Sequence, residues 1–115
     1  MLTLDLPLIN PYMTTALIDS IHAQEGQALA VGSKLIDLTV DLGHLAHDCP
    51  PITHYQLLSR EKAWVRRVSV RQGEEPSVGA RLVLLSTDQD EALDGQPARN
   101  ARVTVACVIG QGSWI

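Results

Sequence analysis

The strongest constraint on the fold is an internal repeat, in which a pattern of glycines and apolar residues recurs at an offset of 47 residues. The first copy runs from Ala16 to Leu38 and the second from Ala63 to Leu85. In each copy a strand-like run ends at a glycine, crosses a short turn to a Val-Gly pair and enters a second strand-like run. The glycines are Gly26, Gly32, Gly73 and Gly79. The pattern predicts a pseudo-symmetric sandwich whose halves cover each other's apolar faces, with turns at positive φ at these glycines.

Alternating and continuous apolar runs predict an all-β chain without a helical stripe. Leu35 to Leu42 alternates with Ile36, Leu38, Val40 and Leu42 on one face. In Trp64 to Arg71, Val68 and Val70 mark the predicted inward face, which Trp64 and Arg66 share. The remaining predicted strands cover 16–23, 81–86 and 101–109, and the apolar run from 81 to 86 is typical of a fully buried strand.

Composition and charge restrict the class of protein. The chain has 115 residues, enough for one core, and a formal net charge of −4, which argues against a nucleic-acid partner. It lacks an apolar run of membrane-spanning length and a charged secretory start, so we expect a cytoplasmic protein without a membrane partner. In that compartment Cys49 and Cys107 are expected to be free thiols.

The predicted organisation is one β domain with two additions. Residues 1–88 form the domain, and 43–59 form an enlarged loop within it. Residues 89–100 are polar and acidic and read as a linker, and 101–115 add a strand and a tail. That last strand either pairs with its own domain or is offered to a partner.

Several short motifs within residues 1–88 resemble the lipoyl/biotinyl attachment domain, particularly the lipoyl domains of 2-oxo acid dehydrogenase acyltransferases. They are the opening segment from Leu6 to Met13, then Glu25-Gly26, Leu29-Ala-Val-Gly32 and Leu35-Ile-Asp-Leu38, and in the second copy Val68 to Gly73 with Gly79 and Leu82. Gln27 replaces an aspartate of the family pattern and Pro76 replaces a valine. The resemblance implies a flattened β-barrel or sandwich of two four-stranded sheets, with the carrier residue at the tip of a tight hairpin.

The chain departs from that family where the cofactor would be attached. Leu42 stands at the position of the carrier lysine, and the tight tip is replaced by the connector from Gly43 to Ser59. Leucine has no amine to acylate, so we expect no swinging arm. The chain has two lysines, Lys34 and Lys62, of which Lys62 is left as an alternative site for lipoyl or biotinyl attachment.

A group of histidine and cysteine residues occupies the connector instead. His44, His47, Cys49 and His54 offer imidazole and thiolate ligands of the kind that zinc accepts. Their spacing matches no standard zinc pattern, and the alternatives are a solvated surface loop and a pH-sensitive contact. If the segment is a solvated surface loop, Leu45 and Ile52 pack against the domain. For the binding of a partner, the predicted contact residues are Leu45, Ile52 and Tyr55.

No phosphate loop, nucleophile elbow or paired-carboxylate site is present in the sequence, so we expect no catalysis. The weaker alternative is a nucleophilic Cys49 with His47 or His54 as its base. The leading prediction is a non-catalytic, lipoyl-like module that binds a protein, as a homodimer or as a component of a multienzyme complex. The alternatives are a metal-binding domain that uses the His/Cys loop, and a degenerate carrier modified at Lys62.

Overall fold

Nine β-strands and no helix make up the described part of the chain, which in this computed structural model is residues 1–42, 52–88, 90 and 99–108. The strands are β1 (Leu2–Asp5), β2 (Leu17–Ile21), β3 (Ala28–Leu29), β4 (Lys34–Asp41), β5 (Ile52–Ser59), β6 (Ala63–Val68), β7 (Arg81–Ser86), β8 (Arg99–Asn100) and β9 (Val103–Val108). They form a five-stranded sheet in the order β3-β6-β7-β1-β8 and a four-stranded sheet in the order β2-β4-β5-β9. The prediction of an all-β chain is therefore confirmed. The described strands do not close into a barrel.

One hydrophobic core joins the two sheets. Ile36 and Leu38 of β4 and Leu82 and Val83 of β7 are each 0% exposed and belong to a single cluster of buried residues. The alternation predicted for β4 is confirmed, because its polar residues at 37, 39 and 41 lie on the other face. Residues 81–86 form β7 as predicted, and five of its six positions are buried.

Strand pairing shows that the repeat is a two-fold relation between the sheets. The pair of β4 and β5 in one sheet is equivalent to the pair of β7 and β1 in the other. Leu38 of β4 lies opposite Tyr55, and the equivalent Leu85 of β7 lies opposite Leu2. The same correspondence holds for the other residues of these pairs. Residues of β4 and β7 correspond at an offset of 47, and residues of β1 and β5 at an offset of 53. The two halves of the chain therefore build equivalent parts of opposite sheets.

The turns of each half are hydrogen-bonded to a strand of the other half. Gly26 N donates to Val65 O at 2.8 Å, and the equivalent Gly73 N donates to Ile18 O at 2.8 Å. The φ angles of these glycines are 87° and 91°, in the region that side chains disfavour, as predicted for these turns. Because each bond crosses from one half to the other, neither half completes its turn alone.

The two-fold relation extends to β-bulges, which explain one wrong prediction. The register shifts between Ile18 and Ser20 in β2, and at the equivalent place between Val65 and Arg67 in β6. A bulge inserts one residue and reverses the faces that follow it. Val65, 0% exposed, therefore points inward before the bulge, and the inward face predicted to run from Trp64 through Val68 is wrong in its first half.

Two segments predicted to lack regular structure contain strands. Ile52–Ser59, the C-terminal part of the predicted 43–59 loop, is β5, a central strand of the four-stranded sheet. Its sequence alternates between inward Tyr55 and Leu57 and outward His54 and Gln56, which is the pattern of a half-buried strand. Arg99–Asn100, at the end of the predicted linker, is β8, which pairs in parallel with β1.

The C-terminal segment crosses from one sheet to the other, and Glu61 fixes the crossing point. The side chain of Glu61 accepts two hydrogen bonds from the Arg99 guanidinium, at 2.9 and 2.6 Å, and one from the backbone N–H of Arg102 at 2.8 Å. The Arg99 hydrogen bonds are the main reason that the pKa of Glu61 falls from its ordinary value of 4.5 to about 2; partial burial opposes them and the Arg102 N–H assists. β9 follows this crossing and pairs with β5 over six residues. The predicted C-terminal strand thus pairs with its own domain.

Replacing Glu61 with Gln is expected to lower the free energy of unfolding at pH 7 by about 1–2 kcal/mol. This value allows for solvent screening of the ion pair, because Arg99 is partly exposed. The pKa of Glu61 is lower in the folded state than in the unfolded state. The stabilisation that its ionised side chain provides is therefore complete above pH 4.5 and is lost as the pH falls toward 2. Urea unfolding of the wild type and Glu61→Gln should therefore converge over that range. Glu75→Gln, an exposed change of the same kind, is the control and should match the wild type; a constant difference between wild type and Glu61→Gln would contradict the assignment.

Candidate functional site

A line of polar side chains crosses the outer face of the four-stranded sheet. Thr39 of β4 lies between Asp19 of β2 and His54 of β5. Its hydroxyl donates a hydrogen bond to Asp19 Oδ2, and its Oγ1 is 2.8 Å from His54 Nδ1. His54 Nδ1 is also 3.9 Å from Asp19 Oδ2. The three residues form one connected network at the surface.

This network specifies how the imidazole of His54 is protonated. A threonine hydroxyl has one proton, and here that proton is donated to Asp19. His54 Nδ1 must then carry its own proton and donate it to Thr39 Oγ1. The other ring nitrogen, Nε2, is left as the acceptor. An oriented imidazole with a basic Nε2 is the form that takes up protons or binds metal ions.

The network is special to one of the two equivalent sheets. Asp19 is the extra residue of the β2 bulge, and Arg66 is the extra residue of the β6 bulge. The counterpart of the Asp19–Thr39 hydrogen bond joins Arg66 to Ser86 at 3.2 Å. The residue that corresponds to His54 is Met1. The fold therefore tolerates a different set of residues at this place, and the carboxylate–hydroxyl–imidazole set is not required for packing.

A second polar group lies beside the first. Asp37 accepts a hydrogen bond from Gln56 Nε2 at 2.9 Å, and its other oxygen is 2.9 Å from His22 Nε2. This histidine meets its carboxylate through Nε2, whereas His54 meets Thr39 through Nδ1. The two neutral imidazoles are therefore expected to carry their protons on different ring nitrogens, His22 on Nε2 and His54 on Nδ1.

A cavity of about 300 Å³ opens between this face and the end of the β4–β5 hairpin. Thr39, Asp41 and Ile52 line it from the sheet, and Glu75 lines it from the turn that follows β6. The cavity thus connects the His54 network with the point at which the chain leaves β4 and enters β5.

The edge of the four-stranded sheet presents a different kind of surface. β9 reads Val-Thr-Val-Ala-Cys-Val and contains no charged residue, proline or glycine. Within the described ranges, no strand pairs with its outer side. Long edges of soluble proteins usually carry charges, prolines or bulges that prevent further pairing. β9 has none of these.

The other sheet edges are short or partly covered. β3 and β8, the edges of the five-stranded sheet, have two residues each. β2 exchanges hydrogen bonds with the turn after β6, since Ile18 N donates to Glu74 O at 2.9 Å and Gly73 N to Ile18 O at 2.8 Å. Of the edges formed by the described residues, β9 is therefore the one suited to accept another strand.

The predicted site residues meet different outcomes. His44, Leu45, His47 and Cys49 lie outside the described residues, so the proposed ligand set stays a prediction. Within 1–42, 52–88, 90 and 99–108, no three His, Cys, Asp or Glu residues are grouped as a metal site would require. Of the predicted partner contacts, Ile52 is 53% exposed, whereas Tyr55 faces the other side of β5 and packs against the core. Ile52 and Tyr55 therefore do not share one surface.

The two candidate positions for cofactor attachment differ in exposure. Leu42 follows β4 and is 5% exposed, as part of the core cluster. Lys62 is exposed in the bend between β5 and β6, near the base of the β4–β5 hairpin where Lys34 opposes Leu58. It thus lies at the opposite end of that hairpin from Leu42.

The sequence analysis did not identify Asp19, Thr39 or Gln56 as partners of His54 and Asp37. One signal is present in the sequence, because Asp37, Thr39 and Asp41 alternate with the apolar residues of β4 and are therefore expected on its outward face. The same reading of residues 52–59 would have put His54 and Gln56 on an outward face too. Their pairing depends on register and on the Asp19 bulge, which the sequence pattern does not reveal.

Comparisons with known proteins give no relatives: a scan of family models, a search of curated proteins and a search of solved structures each found no match. In the described ranges, no helix is long and apolar enough to cross a membrane. The functional evidence therefore comes from this chain's own geometry.

At pH 8, ¹⁵N–¹H NMR should show His54 protonated on Nδ1 and His22 protonated on Nε2. Thr39→Val removes the hydroxyl that receives the His54 proton, so we expect a shift of His54 toward the Nε2–H form. His22 is the internal control and should not change. Wild-type His54 protonated mainly on Nε2 would contradict the network.

Proposed function

We propose that this chain is a lipoyl-like β domain that carries no cofactor and works by binding another polypeptide along the outer edge of β9. The observation that carries the proposal is the uncharged six-residue edge of β9, whose outer side pairs with no strand of the described residues. An extended segment that adds to such an edge gains main-chain hydrogen bonds at every second residue.

Two features support the lipoyl-like part of the proposal. The first is the equivalence of the two sheets, because the motifs that carry the resemblance occur in both copies of the repeat. The sheets have five and four strands, whereas the resemblance implies four in each. The second is that β4 and β5 are antiparallel neighbours, which puts Leu42 just after the strand that leads into the family's carrier turn. Fold likeness does not determine function, so the binding surface has to support the functional part.

The burial of Leu42 supports a role other than that of a carrier. A ligase needs an amine on an exposed turn, and a side chain that is 5% exposed in the core could not provide one even as lysine without disturbing the packing. Lys62 is exposed but lies at the far end of the hairpin, beside the Glu61–Arg99 contact. A swinging arm at Lys62 would require recognition of a different surface from the one that the resemblance implies.

The firm attachment of β9 to the domain supports its use as a docking edge. β9 is aligned with β5 over six residue pairs, and the Glu61 contacts fix the chain just before it. A strand already held in place loses little conformational entropy when a partner pairs with it. The edge is therefore prepared for binding.

Incorporation of the photo-crosslinking residue benzoylphenylalanine at Thr104 is expected to link this chain to a polypeptide in its host cell. Thr104 is exposed on β9, so a strand paired with β9 would lie within reach of its side chain. Mass spectrometry of the linked band identifies the polypeptide and the linked segment. Thr87, exposed after β7, is the matched control and should give no link; equal linking at both positions, or none at Thr104, would refute the proposal.

Metal binding is the second candidate, and the orientation of His54 favours it. Metal-bound histidines usually donate their other ring N–H to a hydroxyl or carboxylate, as His54 does to Thr39 and through it to Asp19. His54 also follows the predicted ligands His44, His47 and Cys49 in the chain. These four residues would hold zinc with nitrogen and sulfur ligands.

Native mass spectrometry and zinc titration test this candidate. His54→Gln is expected to weaken zinc binding at least tenfold, because it removes the oriented Nε2, whereas His22→Gln should leave it unchanged. No zinc uptake by the wild type, or an equal loss in both variants, would exclude the site. A mass increase of a lipoyl or biotinyl group would instead support a carrier modified at Lys62.

A further inference from the structure

We propose that the polypeptide covering β9 is a second copy of this chain, and that two copies join their four-stranded sheets into one sheet of eight strands. This inference rests on the proposed function, because it names the partner of the same edge. The two β9 strands would pair antiparallel about a two-fold axis perpendicular to the sheet.

The absence of charge along this side of the domain favours self-association. Charged residues make up 19% of the chain, yet neither β5 nor β9 contains Asp, Glu, Lys or Arg. In a two-fold pair each strand meets its own sequence, so any charge on the edge would lie near its own copy and repel it. A formal net charge of −4 on each copy opposes association elsewhere on the surface, but the β9 edge contributes nothing to that charge.

The burial pattern along β9 shows which side chains the second copy would cover. Val103 packs against the core, but Val105 is 37% exposed and Cys107 is also exposed. Their partners on β5, Leu57 and Tyr55, face the core on the same side of the sheet. A perpendicular two-fold axis keeps this side common to both copies, so Val105 and Cys107 would meet the same residues of the second copy and lose their exposure.

A single edge of this kind explains why the assembly would stop at two copies. An isologous contact uses the same patch on both subunits, so the dimer leaves no further β9 edge for a third copy. The pairing involves about six residues on each copy. The surface that they bury is expected to be smaller than the roughly 1,000 Å² typical of a stable interface. We therefore expect a weak dimer, with a dissociation constant roughly in the micromolar range.

A foreign peptide fits the surroundings of β9 less well. Peptides that add to a sheet edge obtain specificity from pockets for their side chains. Among the described residues, the linings of three cavities of about 300 Å³ contain no residue from Thr104 to Val108, so none of these three provides such a pocket beside β9. The uncharged edge is compatible with a strand identical to itself.

Sedimentation velocity of the full chain between about 5 and 500 µM tests the inference. The wild type should change from monomer to dimer with rising concentration under reducing conditions, which exclude a disulfide dimer. Val105→Lys puts a charge on the covered side of the edge and should keep the chain monomeric, shifting the midpoint of dimerisation at least tenfold. Val31→Lys is the matched control, because Val31 is 69% exposed and lies outside both sheets.

A second measurement does not depend on a variant that folds. Amide hydrogen exchange of the wild type from Thr104 to Val108 should slow as the concentration rises, because pairing protects outward N–H groups. Circular dichroism checks that Val105→Lys retains its strands. Two results would overturn the proposal that the partner is a second copy. One is a wild type that stays monomeric and whose amide exchange does not depend on concentration. The other is equal dimerisation of Val105→Lys and Val31→Lys.

These outcomes separate the inference from the function on which it rests. Crosslinks from Thr104 to a different polypeptide, with a monomeric wild type, would overturn the dimer but retain the binding edge. Crosslinks to the same chain, with dimerisation sensitive to Val105→Lys, would support both. A monomer without crosslinks at Thr104 would refute both.

Discussion

The reciprocal hydrogen bonding between the two halves is the constraint on which the rest of the structure depends. The turn at Gly26 donates to Val65 in the second half, and the turn at Gly73 donates to Ile18 in the first half. Each bond requires a backbone N–H at a positive φ, which glycine adopts without steric cost. The halves are held in register by these turns, and the two sheets then face each other over a core of leucine, isoleucine and valine.

The functional features arise where this symmetry is broken. The two equivalent bulges re-aim one residue each, but the chain has Asp19 at one and Arg66 at the other. Only the first lies beside a threonine and a histidine that continue the network. Similarly, β8 and β9 extend equivalent strands but differ in length and direction, so that one sheet ends in a two-residue edge and the other in a six-residue edge. The symmetric core supplies stability, and the differences on its surface create the candidate network and the edge proposed for binding.

The two candidate surfaces belong to neighbouring parts of one sheet. β5 carries His54 and Gln56 on its outer face, and its other side is bonded to β9. Pairing of a partner with β9 would extend the sheet that holds the His54 network without covering its outer face. Binding at the edge and proton or metal chemistry at the outer face are therefore compatible in one assembly.

Local patterns were enough to predict the part of the core that β4 and β7 contribute. The repeat, the alternation of β4 and the apolar run of β7 depend on periodicity, which is a property of neighbouring residues. The same reading failed for β6, because the bulge at Arg66 reverses the faces. Residues 52–59 show the same alternation, but they are predicted as part of the connector with the histidines, whereas they form β5. The candidate network was missed for a related reason: Asp19 and Thr39 are brought to His54 by strand register, a long-range property.

The sequence by itself determined an all-β chain and the positions of its glycine turns, because each depends on residue type and local spacing. Only the tertiary structure decided which strands pair, which edge is left open and which polar residues meet. These depend on contacts between residues distant in the chain, such as Glu61 with Arg99 and Thr39 with His54. A one-residue bulge is enough to change them, and no local pattern records it.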